Sequence, residues 1–62
     1  MHKYYFTFGF GQVYAGGYCV VEAEDQMKAR EEMFRQFGNK WNMMYDSAEE
    51  AGVEKFGLRE VK

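Results

Sequence analysis

Sixty-two residues with a net charge of −2, 47% apolar side chains, 29% charged side chains and no proline describe one folded domain, and exclude a disordered or linker-like chain. A single cysteine, Cys19, excludes a disulfide framework, and one histidine, His2, leaves too few ligands for the usual metal-site spacings. The charge is spread evenly and forms no basic patch, so general DNA or RNA binding is not expected. The whole chain, residues 1–62, is read as a single domain.

Residues Tyr4 to Phe10 alternate strictly, with Tyr4, Phe6, Phe8 and Phe10 opposite Tyr5, Thr7 and Gly9, which is the period of a strand. Gly11 to Gly17 reads as a glycine-rich hairpin loop leading to a second strand from Tyr18 to Ala23. Glu24 and Asp25 open a helix that runs to Phe37, with Gly38-Asn39 as its stop. Its apolar arc is expected to contain Met27, Ala29, Met33, Phe34 and Phe37, and its outer face the i,i+4 pairs Lys28–Glu32 and Glu31–Arg35. Lys40 to Asp46 alternates as a third strand. Ser47 to Glu50 fits a capping box that opens a helical turn ended by Gly52. The tail from Phe56 to Val61 predicts a short edge strand.

The expected fold is therefore α+β: an antiparallel sheet of three or four strands in the order β-β-α-β, one main helix on one face, then a short helical turn and an edge strand. With the phenylalanine row turned to the helix, Tyr5, Thr7, Tyr18 and Val20 should line an uncovered face, which together with the Gly9–Tyr18 loop and Trp41 would bind a partner or join two copies. One Trp, five Tyr and six Phe are more rings than so short a chain can bury, which predicts a homodimer. No 18-residue apolar run crosses a membrane, and Met1-His2-Lys3 does not begin a signal peptide; the expected location is the cytoplasm.

The residues offer little for catalysis. His2 stands at a terminus, Cys19 lies in an inward strand row, and the glutamates read as solvated helix faces, so no enzyme activity, cofactor or metal is expected. Two features could contact a small nucleotide or an acidic group. Arg30 falls near the centre of the expected apolar arc, where it would either reach a carboxylate such as Asp46 or a strand carbonyl, or hold an anionic ligand. The loop around Gly11, Tyr14 and Gly16 could cradle a phosphate through its amides, although no helix follows it as phosphate-loop motifs require.

Several segments carry a resemblance: Tyr4 to Gly9; Gly17-Tyr18 with Val20, Glu22, Ala23 and Asp25; Ala29-Arg30 with Met33; Phe37-Gly38 with Lys40-Trp41; and Tyr45-Asp46-Ser47. Together they resemble small accessory proteins encoded by phages and prophages, among them anti-defence proteins of the Hachiman-inhibitor and anti-CRISPR kinds. The resemblance implies an inhibitor that binds a bacterial defence protein in the host cytoplasm, and assigns no functional residues. A sponge that sequesters a nucleotide immune signal is the alternative, and a small nucleic-acid-binding module the second alternative.

Overall fold

The computed structural model describes residues 1–61. In chain order the elements are β1 (His2–Thr7), β2 (Gly17–Ala23), α1 (Gln26–Phe37), β3 (Met43–Tyr45), α2 (Ala48–Ala51) and β4 (Arg59–Glu60). They form an α+β fold around one four-stranded sheet of order β3-β1-β2-β4. β1 pairs antiparallel with both β2 and β3, whereas β4 runs parallel to β2. The wholly antiparallel sheet expected from the sequence is thus corrected to a mixed one. The reason is connectivity: the chain leaves β3 at one edge and must cross the whole sheet to reach β2's far side, arriving in β2's own direction.

Both helices begin where their capping residues dictate. Asp25 is extended and its carboxylate accepts the Lys28 amide at 2.9 Å, while the Gly38 amide donates back to Phe34 at the other end. Ser47 caps α2 by accepting the Glu50 amide at 3.1 Å, and left-handed Gly52 ends it at φ 78°. On α1 the expected i,i+4 pairs give way to an i,i+3 salt bridge: Arg35 donates to Glu32, and Gln36 donates to the same carboxylate.

The core lies between α1 and one face of the sheet. Tyr4, Phe6, Phe8, Cys19, Val21 and Ala23 meet Ala29 and Met33, with Phe6 and Met33 fully buried. Each fully buried side chain of this kind contributes roughly 1.5–3 kcal/mol. Phe10 does not extend the inward row, because β1 ends at Thr7 and the chain turns before it. The third strand is likewise shorter than its alternation suggests, three residues beginning at Met43.

The opposite sheet face is not bare, which corrects a second expectation. Ala51 is buried although it lies outside the cluster beneath α1, and α2 packs on β1 and β3. The segment from α2 to β4 therefore crosses the face of Tyr5, Thr7, Tyr18 and Val20, all four of which are half-buried.

Docking of β4 depends on Gly17. A Cβ there would fall 2.5 Å from Val61 Cγ2, 3.0 Å from the Tyr14 carbonyl and 3.1 Å from the Arg59 carbonyl. Gly17→Ala is expected to displace β4 at a cost of roughly 1–3 kcal/mol. Faster amide exchange at Arg59 and Val61 with an intact α1 would record it; unchanged exchange would contradict it.

Candidate protein-binding surface

The loop between β1 and β2 is a chain of overlapping turns. The Gln12 amide donates to Gly9 at 3.0 Å, Ala15 to Gln12 at 3.1 Å and Gly17 to Tyr14 at 2.9 Å. Gly11 and Gly16 occupy the third positions of the first and last turns with φ of 87° and 85°, the left-handed backbone that a type II turn places there. The Gln12 side chain folds back to accept the Gly9 amide and closes the first turn a second time. Phe10, at the second position of that turn, is carried outward and is fully exposed at 107% of its reference area; Val13 follows at 72%.

Tyr14 fastens this loop to the body of the protein. Its ring meets Phe8 edge-on at 5.4 Å and Phe37 at 5.6 Å. Beside it, Trp41 stands edge-on to Phe6 at 5.0 Å and to Phe34 at 5.6 Å, and its indole N–H donates to the Gly38 carbonyl at 3.1 Å. Phe34 remains 56% exposed. The end of the sheet and the last turn of α1 thus present an aromatic pole of Tyr14, Phe34 and Trp41, braced by Phe6, Phe8 and Phe37, and the loop that Tyr14 anchors carries the exposed Phe10 and Val13. Offset and edge-on ring pairs of this kind contribute roughly 0.5–1.5 kcal/mol each beyond their buried area.

Trp41 therefore sits on the α1 side of the sheet and does not share a face with Tyr5, Thr7, Tyr18 and Val20. Those four do share one: Tyr5 pairs with Val20 and Thr7 with Tyr18 across the strands, and the Tyr5 and Tyr18 rings lie 6.4 Å apart. α2 packs on β1 and β3, and all four residues are half-buried. Of the residues expected to contact a ligand, Gly11, Tyr14 and Gly16 come together in the loop, and Arg30 stands apart from them on α1.

Arg30 is exposed, and no hydrogen bond or salt bridge of its side chain occurs among the described residues, so the expected link to Asp46 or to a strand carbonyl is not formed. The buried face of α1 is narrower than its apolar residues suggest. It centres on Ala29 and Met33 and leaves Met27 and Phe34 outside, with Arg30 between them.

In the loop the amides of Gly9, Gln12, Ala15 and Gly17 are committed to the turns, and those of Gly11, Tyr14 and Gly16 are not among these donors. Three surface grooves among the described residues have more carboxylates than lysines or arginines on their walls: Glu22, Glu24, Glu31 and Glu32 against Lys28 and Arg35 in one, beside Met1; Asp46 and Glu49 against Lys3 in another, beside His2; Glu49 and Glu54 against Lys55 in a third. Arg30 lines none of them.

Comparison with known proteins gives no counterpart: no family model, curated protein or solved structure matches the chain. The surface has to be read from its own residues. No helix among the described residues is long and apolar enough to cross a membrane.

Phe10 and Val13 lie in the Gly9–Tyr18 loop expected to bind a partner but are not singled out within it by the sequence, which assigns Phe34 to the buried arc of α1. One signal was available. Residues 4–21 contain no charged side chain, and Phe10 stands between two glycines at the middle of that run.

Cys19 is buried and free, and burial pushes its thiol above 9.0, with Glu60 and Glu32 adding to the rise. The neutral thiol is the form the fold favours. Because the folded value lies above the unfolded one, this contribution to stability is complete below about pH 9 and is lost as pH rises through the folded value. A thiol reagent at pH 8 should label Cys19 slowly until urea unfolds the chain; labelling as fast as free cysteine in native buffer would contradict its burial.

Proposed function

We propose that this chain is a protein-binding domain that docks its aromatic pole on a partner, and that the partner is a bacterial immune protein whose action it blocks in the host cytoplasm. The observation that carries the binding reading is Phe10, fully exposed at the tip of a loop locked by its own turns. A free ring held this way loses little entropy when it enters a pocket, so its burial goes largely into affinity. Aromatic residues, methionine and arginine are also the types enriched in interface centres, and Phe10, Tyr14, Phe34 and Trp41 supply the rings.

The choice of a protein over a phosphate-bearing partner rests on charge. The net charge is −2, no basic patch adjoins the loop, and acidic groups predominate in the grooves. Nucleic acid and anionic lipid both call for clusters of lysine and arginine, whereas the cations nearest this pole are two, Arg30 one turn from Phe34 and Lys40 beside Trp41. The immune target rests on the resemblance of the strand and helix segments to phage accessory proteins. For such an inhibitor, occupying a surface of ordinary interface size, about 800 Å² per partner, is enough to block a much larger protein.

The test is phage plating on strains that each carry one defence system, with and without this protein expressed. Restored plaque formation on at least one strain, lost with Phe10→Ser, is the expected result. Unrelieved protection on every strain would overturn the immune target, and relief that survives Phe10→Ser would overturn the pole.

A further inference from the structure

β3 ends the sheet order β3-β1-β2-β4 and is paired on one side only, with β1. Met1 lines the groove beside Ala23 and Glu24, and the Val61 amide donates to Tyr18, so both ends of the described chain lie on the β2 side of the sheet, away from this edge. The direction of the backbone groups follows from the bonds already made. The Phe8 amide donates to Gly17 on β2, whereas the Thr7 carbonyl accepts the Asn42 amide at 2.7 Å just ahead of β3. Alternation then makes Tyr5–Tyr45 and Thr7–Met43 the bonded pairs, and turns the amide and carbonyl of Met44 to the outer edge. Neither group has a hydrogen-bond partner among the described residues.

Sheets commonly guard such an edge with charged side chains or proline. Trp41, Asn42, Met43, Met44 and Tyr45 include neither. Charge stands only at the two ends of this run, Lys40 before it and Asp46 after it, both exposed and outside any salt bridge among the described residues. Glu49 and Lys3 line the groove next to Asp46 and offset each other. A run that is basic at one end and acidic at the other complements itself when reversed. An antiparallel second copy brings Lys40 of each chain toward Asp46 of the other, whereas a parallel one opposes like charges. The side chains agree with the reversed order. Met44 packs against the core on the α1 side, while Met43 and Tyr45 share the other face with Thr7 and Tyr5. With Met44 at the centre of the pair, the exposed Met43 of each copy lies opposite Tyr45 of the other, a thioether against a ring.

We propose that β3 is the seam of a homodimer in which two copies join antiparallel across a two-fold axis at Met44, each Met44 donating to and accepting from its counterpart. The two four-stranded sheets become one continuous sheet. The Phe10 loop leaves β1 after Thr7, beside Met43, so the two loops stand at opposite ends of the joined sheet and remain free for the partner of the aromatic pole.

Sedimentation equilibrium of the intact protein from micromolar to millimolar concentration, with NMR amide exchange over the same range, tests this. The mass is expected to rise from one chain toward two, and the Met44 amide to slow at least about tenfold, while the Gly11 amide in the loop stays unchanged. Lys40→Glu alone and Asp46→Lys alone, both at exposed positions and expected to melt with the parent, should each weaken association by about three- to tenfold. Mixed in equal amounts, the two variants should recover the parent's affinity, because in the mixed pair both charge contacts are attractive again. Phe10→Ser should associate as the parent does. A mass of one chain at millimolar concentration would overturn the proposal. So would a doubled mass with Met44 exchange unchanged, which places the seam elsewhere, and so would a mixture that associates no more tightly than its two components.

Discussion

Phe6→Ala is expected to abolish the folded state at 25 °C. The ring is fully buried, stands edge-on to Trp41, and lies in the cluster that joins β1 and β2 to Ala29 and Met33 of α1. Truncating a buried phenylalanine costs roughly 3–5 kcal/mol. A single core in a chain this short rarely supplies more than about 3–5 kcal/mol in total, so the loss is comparable with the whole margin. Circular dichroism should show the helical signal gone or its melting transition shifted below room temperature. Phe34→Ala, which removes an exposed ring, should melt within a few degrees of the parent protein. Equal melting of the two variants would mean that the core has been placed on the wrong side of α1.

Phe10→Ser should do the reverse. The ring is fully exposed, so its removal is expected to leave the melting temperature unchanged. If Phe10 is the central contact, binding to the partner should weaken by at least about thirtyfold, the equivalent of the roughly 2 kcal/mol that marks an interface hot spot. Gly11→Ala is the companion variant. An added Cβ meets nothing within 4 Å, yet the backbone holds φ at 87°, where alanine is strained. It should weaken binding by re-aiming the tip while every aromatic ring remains present. The pairing of Phe6→Ala with Phe10→Ser separates rings that hold the fold from rings the fold holds out.

That separation was only half legible in the sequence. Strict alternation identified β1 and β2, and Asp25, Ser47, Gly38 and Gly52 marked the helix ends because capping is local chemistry, decided within a turn of the chain. Alternation also placed Tyr5, Thr7, Tyr18 and Val20 on one face. What it cannot convey is the layer that covers a face. The segment from α2 to β4 lies over theirs, and its course is fixed by β4 adding parallel to the far side of β2. Trp41, which the sequence leaves open between core and contact, precedes β3 and stands on the α1 side against Phe6 and Phe34.

The helix shows the same limit. Met27 and Phe34 are apolar and close to the buried arc, but only Ala29 and Met33 are pressed fully into the sheet, and Arg30 accordingly lies in solvent beside them. A 12-residue helix over a narrow sheet has room for one line of contact. The larger side chains on its flank are left for something else to cover. The uncharged run of residues 4–21 was the sequence's clearest statement that part of this surface is not meant for water alone.

The central claim, that the pole around Phe10 is the binding surface, is tested most directly by titrating the defence protein identified in the plating experiment with the intact domain and with a Phe10→Ser, Val13→Ser variant by calorimetry. Saturable binding by the parent, weakened at least about a hundredfold in a variant of unchanged melting temperature, is the predicted result. Equal affinity of the two proteins would contradict it.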